Sequence, residues 1–103
     1  MLRGADGAMT GFAYPEMMAQ VVSAYRSDDL TRARDIFDAY MPMVRYEAQP
    51  GLGLAIRKYT LAQRGVITHD TVRKPGAALS AAAKSEVDAL ATRQATRLAA
   101  LGV

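Results

Sequence analysis

A mostly α-helical fold is what this 103-residue sequence predicts. Three observations carry that expectation. Half of the residues are apolar, chiefly Ala, Leu, Val and Met, while aromatics make up 7% and Trp is absent, which is a helical composition rather than a β-sandwich one. Apolar residues recur at three- and four-residue spacing through most of the chain. The breaks between those runs hold Pro, Gly and capping residues where helix ends require them.

The elements follow in order. Gly7-Ala8-Met9-Thr10-Gly11 is short, small and apolar, a buried strand of a few residues or a loop, and too short for periodicity to decide. Pro15 suits the first turn of a helix over 15–26, and Glu16 complements the positive end of its dipole. Met18, Val21, Val22 and Tyr25 form its stripe. Ser27-Asp28-Asp29 ends that helix and caps a second over 29–47, with Leu30, Ala33, Phe37, Tyr40 and Val44 on one side. Pro42 lies inside it, where a lost donor predicts a kink. After the break Gln49-Pro50-Gly51-Leu52-Gly53 comes a helix over 53–64, with Leu54, Lys58 and Leu61 on one face and Gly65 at its end. Residues 66–79 show no period and read as a loop. Ser80 caps a last helix over 80–100, whose stripe is Ala83, Val87, Leu90, Gln94, Leu98 and Leu101, with Gly102 beyond it.

A chain of this length is one small domain whose core is marginal unless something else covers it. No Cys means no disulfide framework and no thiolate metal site, which fits a reducing cytoplasm. His69 beside Asp70 is the single His and reads as a surface residue, since one His without further ligands holds no metal. No stretch has signal-peptide or membrane-spanning length, so no membrane role is expected. The net charge of +3 is uneven: residues 1–50 carry five Arg against seven acids, and residues 51–103 eight Lys/Arg against three. Arg57, Lys58, Arg64, Arg73 and Lys74 lack the Gly-rich or aromatic interleaving of a nucleic-acid site and read as a solvated or partner-facing patch. The methionines Met17, Met18, Met41 and Met43 read as core and interface fillers.

A lone strand at 7–10 is not stable by itself, so its sheet must lie elsewhere or the segment is no strand. Specific residues favour the first. Gly4-Ala5-Asp6-Gly7-Ala8-Met9-Thr10-Gly11 resembles the eighth strand of the dihydrodipicolinate synthase / N-acetylneuraminate lyase family. Asp29, Ala33, Ile36, Pro42 and Met43 match the pattern of that family's following helix. Leu52 to Gly65 is similar to the next one, and Arg73-Lys74-Pro75 to the connection before the last. Order and spacing over about 95 residues carry the resemblance, since GxxG and RKP are each common motifs.

The resemblance implies the last strand, last barrel helix and C-terminal helical extension of a truncated (β/α)8 TIM barrel, divided as residues 1–27 and 28–103. It implies a lyase that joins a lysine to pyruvate or another 2-keto acid as a Schiff base, an electron sink for carbon–carbon bond making, cleavage or dehydration. In the family that lysine lies on strand six and a proton-relaying tyrosine on strand four, both outside this sequence. No catalytic residue, cofactor or metal ligand is therefore expected here, and Lys58, Lys74 and Lys84 read as surface lysines. Barrel sites lie at the C-terminal ends of the strands, so the resemblance implies pocket contact for Met9, with Thr10 at the rim. It also implies a cytoplasmic homo-oligomer without nucleic acid. Thr10-Gly11-Phe12 and Ala13-Tyr14-Pro15-Glu16 depart from the synthase pattern, which leaves the substrate within the family open. The alternative is a free-standing helical interaction module whose basic half meets an acidic partner. Residues 1–14 separate the two: a true strand eight is extended without a sheet of its own, whereas a module tucks the segment against its helices or leaves it disordered.

Overall fold

The computed structural model describes residues 1–103, with four α-helices and no strand. These are α1 (Pro15–Arg26), α2 (Leu30–Glu47), α3 (Gly53–Gln63) and α4 (Ala81–Ala100). The bounds lie within one residue of those the sequence predicts, because the ends are chemically marked. Pro15 opens α1. The Asp29 carboxylate accepts from the Arg32 N–H at 3.0 Å, and the Ser80 hydroxyl from the Ala83 N–H at 3.1 Å, each satisfying a donor left free by the first helical turn. Residues 66–79 contain no helix, as expected.

Helix α2 is the hub, packing against each of the other three. It continues through Pro42 without interruption. Ile36, Tyr40 and Met43 from α2 meet Met17, Ile56, Tyr59, Val87 and Phe12 in one cluster of eight buried side chains. The turn into α3 depends on Gly53, where an added Cβ would stand 2.6 Å from the Glu47 carbonyl oxygen, so no other residue fits without moving backbone.

Three faces differ from the sequence stripes. In α3 the buried residues are Ala55, Ile56, Tyr59 and Thr60, while Leu54 is 56% exposed and Lys58 and Leu61 are only half-buried. The helix has rotated away from its longest aliphatics so that Ile56 can enter the core and the Tyr59 hydroxyl can donate to Asp88 on α4 at 3.0 Å. In α2 the inward face runs through Ala33, Ile36, Ala39, Tyr40, Met43 and Glu47, and Phe37 is 39% exposed. In α1 Met17 and Ala24 lie deepest, with Met18, Val21, Val22 and Tyr25 half-buried. The stripe of α4 falls as expected, with Val87 and Gln94 buried.

The segment before α1 divides at Gly11. Residues 5–11 make no backbone–backbone hydrogen bond and form no strand, because no neighbouring strand exists to pair with. Phe12 and Ala13 are buried against the helices.

The observed register of α3 makes a testable distinction. Ile56→Ala should cost about 2–4 kcal/mol by chemical denaturation followed by circular dichroism, whereas Leu54→Ala should cost under about 1 kcal/mol. Equal losses would restore the sequence stripe.

Candidate functional site at the end of the N-terminal segment

The polar residues that converge most closely do so around Ala13. Glu47 ends α2 on its buried side and is only 4% exposed. A buried carboxylate needs partners for its oxygens. One accepts from the Ala13 N–H at 3.1 Å, the other from Arg57 Nε at 2.7 Å. Arg64, just past α3, donates to the Ala13 carbonyl and pairs with Glu16 at 2.5 Å. Both backbone polar groups of Ala13 are thus held by charged side chains of the helical body.

Aromatic packing closes the other side. Phe12 meets the Tyr40 ring edge-on at 6.1 Å between centroids, Tyr14 lies 5.8 Å from Tyr40, and the Arg64 guanidinium sits 4.3 Å over the Tyr14 ring. Gly11 passes directly beneath Arg57, whose Nη1 would stand 2.9 Å from a Cβ at that position. The N-terminal segment is therefore gripped at residues 11–14, and residues 5–10 before them are exposed with their backbone unpaired.

That grip sets where the expected pocket residues stand. Met9 is 98% exposed, two positions before the grip. Thr10 is exposed, and its hydroxyl accepts from the Phe12 N–H at 3.1 Å, turning the chain into the anchor. The structure brings no lysine to this place. Lys58 donates to the Thr71 carbonyl, Lys84 lies 3.5 Å from Asp70 and 5.3 Å over the Tyr59 ring, and Lys74 is exposed in the loop. His69 is exposed as well. The sequence reading missed Glu47, Arg57 and Arg64 as a unit. The available signal was Glu47 itself, a charge four residues after Met43 on the inward side of α2.

The fold and this segment define a class before any particular relative: a run of helices preceded by one unpaired stretch, matching part of a (β/α) barrel. The chain aligns with the crystal structure of dihydrodipicolinate synthase from Rhodopseudomonas palustris at a TM-score of 0.87 and 47% sequence identity, over 90% of this chain and 31% of that one. It is also 29% identical over 90 residues to an L-2-keto-3-deoxyarabonate dehydratase from Azospirillum brasilense, covering 87% of this chain and 29% of that protein. No family model matches the sequence. Both findings support the dihydrodipicolinate synthase family that the residues resemble, and the chain spans about a third of the length of each relative.

Two measurements test the grip. Glu47→Ala should destabilise the chain by about 2–4 kcal/mol, since it strands the buried Ala13 N–H and an arginine, while Lys84→Ala, in an exposed pair, should cost under about 1 kcal/mol. The second is alkaline titration. Burial pushes the Tyr14 phenol above its ordinary value of 10.0, against the opposing pull of Arg64. A raised phenol contributes stability that is complete below the unfolded value near 10 and is lost as pH rises through the folded value. Stability should therefore fall above pH 10, less steeply in Tyr14→Phe.

Proposed function

We propose that the chain is the C-terminal part of a pyruvate- or 2-keto-acid-dependent Schiff-base lyase, an aldolase, synthase or dehydratase of the dihydrodipicolinate synthase family. The observation that carries this reading is 47% identity over 90% of the chain to a dihydrodipicolinate synthase, at a TM-score of 0.87. The likeness to a keto-deoxy sugar acid dehydratase supports the same class of chemistry, in which a keto acid loses water.

In this reading residues 1–27 are strand eight and helix eight of the barrel, and residues 28–103 are the helical extension. The chain supplies wall and not nucleophile. Met9 lines the keto-acid pocket through its backbone, and Thr10 stands at the rim. The anchor at Phe12 and Ala13 supports this assignment, because it fixes the level at which those two residues leave the helical body. Preorganising such a wall matters, since a displacement of about 1 Å at a reacting centre can cost on the order of a hundred-fold in rate. The lysine comes from the barrel strands, and the complete enzyme works as a cytoplasmic homo-oligomer.

Lys58, Lys74 and Lys84 are not the nucleophile in this proposal. Schiff-base formation needs an amine held in a desolvated pocket. Two of these amines are engaged by a carbonyl or a carboxylate, and the third is in an exposed loop. Incubating the 103-residue chain with pyruvate and borohydride should leave its intact mass unchanged. A stoichiometric adduct at one lysine would overturn the assignment. Reading the genomic DNA upstream of Met1 tests the wider proposal, with an in-frame barrel carrying a strand-six lysine as the expected result.

A further inference from the structure

Arg57 is the charged residue around Ala13 whose hydrogen-bonding capacity is least used. A guanidinium carries five N–H donors, and at Arg57 only the Nε–H has a partner, the buried Glu47 carboxylate at 2.7 Å. Arg64, by contrast, is engaged by the Ala13 carbonyl, by Glu16 and by the Tyr14 ring. The Glu47 bond fixes the Arg57 plane, and the side chain is still 37% exposed, so its Nη1–Nη2 edge is both held and open. Gly11 makes room for that edge, since a Cβ there would stand 2.9 Å from Nη1 and 3.4 Å from Nη2. The Gly11 N–H beside it has no partner either. We propose that the free edge of Arg57, with the Gly11 N–H, is a carboxylate-binding site. Its ligand is the terminal carboxylate of a five- or six-carbon dicarboxylic 2-keto acid, at the end remote from the keto group. The keto-acid part of this assignment rests on the proposed function.

The chemistry of the donors selects a carboxylate. A planar guanidinium edge matches the two oxygens of a carboxylate, which it binds through two parallel hydrogen bonds. Both oxygens of Glu47 are already engaged, so they do not compete with the ligand for donors. The negative charge of Glu47 offsets that of Arg57, and recognition then depends on directed hydrogen bonds. That balance suits a singly charged carboxylate better than a doubly charged phosphate. Spacing selects the length of the ligand. With residues 7–11 extended as in the proposed barrel, Met9 and Gly11 share one side and lie about 7 Å apart. Carbon–carbon bonds of about 1.5 Å separate the two carboxylates of a five-carbon keto diacid by roughly 5 Å. A keto acid whose first carboxylate lies at the Met9 backbone therefore brings its second within reach of Arg57. Pyruvate is too short to do so.

The test follows two NMR signals of the 103-residue chain, the amide of residue 11 and the Arg57 Nε–H. The chain is titrated with sodium glutarate and, separately, with glutaramide, which has the same length and no charge. A saturable shift at millimolar glutarate, and none with glutaramide, is the expected result. Arg57→Lys, which keeps the charge and loses the fork, and Gly11→Ala, which fills its place, should each weaken binding at least about five-fold. Arg73→Lys, in the exposed loop, should change it less than about two-fold. Circular dichroism of each variant should retain the helical signal, and if Arg57→Lys unfolds, the two ligands and Gly11→Ala still decide. No saturable shift, an equal response to glutaramide, or equal affinity in all variants would overturn the site. In the full-length enzyme expected from the upstream frame, Arg57→Lys should lower kcat/KM at least about ten-fold for a keto acid ending in a carboxylate. For one of equal length ending in a hydroxymethyl group the loss should be less than about two-fold. Equal losses would overturn the assignment of the substrate's end. An upstream frame without a barrel removes the keto acid and leaves the glutarate result standing, so the two readings fail separately.

Discussion

The Glu47 carboxylate is the contact on which the arrangement of this chain turns. It is a charge buried at the end of α2, and such a charge is tolerated only when its oxygens are bonded. Its two partners come from opposite ends of the sequence around α2: the backbone of Ala13 before α1, and the guanidinium of Arg57 on α3. One residue thus ties the N-terminal segment to the helical body, and removing any of the three leaves an uncompensated group. Gly53 belongs to the same construction. Only a residue without a Cβ lets α3 start so close to the Glu47 carbonyl, and that closeness brings Arg57 within reach.

The helix bounds were legible because end signals are local. Pro15, Asp29, Gly53 and Ser80 each act within a turn of their own position, so no tertiary knowledge is needed to place them. Helix faces are another matter. Over the eleven residues of α3, Leu54, Lys58 and Leu61 make as regular a stripe as Ile56, Tyr59 and Thr60. The choice between them is made by what α2 and α4 offer. Asp88 on α4 accepts from the Tyr59 hydroxyl, and the space beside Met43 takes Ile56. Neither fact exists at the level of one helix.

The polar grip was not legible in that way. Resemblance pointed to Met9 and Thr10 through the order of motifs, yet nothing in their own residue types marks them. Glu47, Arg57 and Arg64 stayed hidden because each looks like an ordinary surface charge when read alone. Their grouping depends on the approach of segments 34 and 51 residues apart in sequence. The one local hint, a glutamate on the buried side of α2, gains meaning only once the Ala13 N–H is known to lack any other acceptor.

The placement of the grip also explains how a segment can be free without being loose. A free chain end loses conformational freedom when it becomes a strand, at a cost of about 1–2 kcal/mol per residue. Anchoring residues 12 and 13 fixes one end of the stretch, so a partner strand meets it at a set height and direction and fewer residues remain to be ordered on binding. The apolar groove beside it, between α1 and α2, adds burial at about 25 cal/mol per Å² of apolar surface removed from water. Neither feature suffices alone. Unpaired backbone without apolar cover is as well satisfied by water, and an apolar groove without backbone pairing imposes no register. Together they specify a direction, a register and a face.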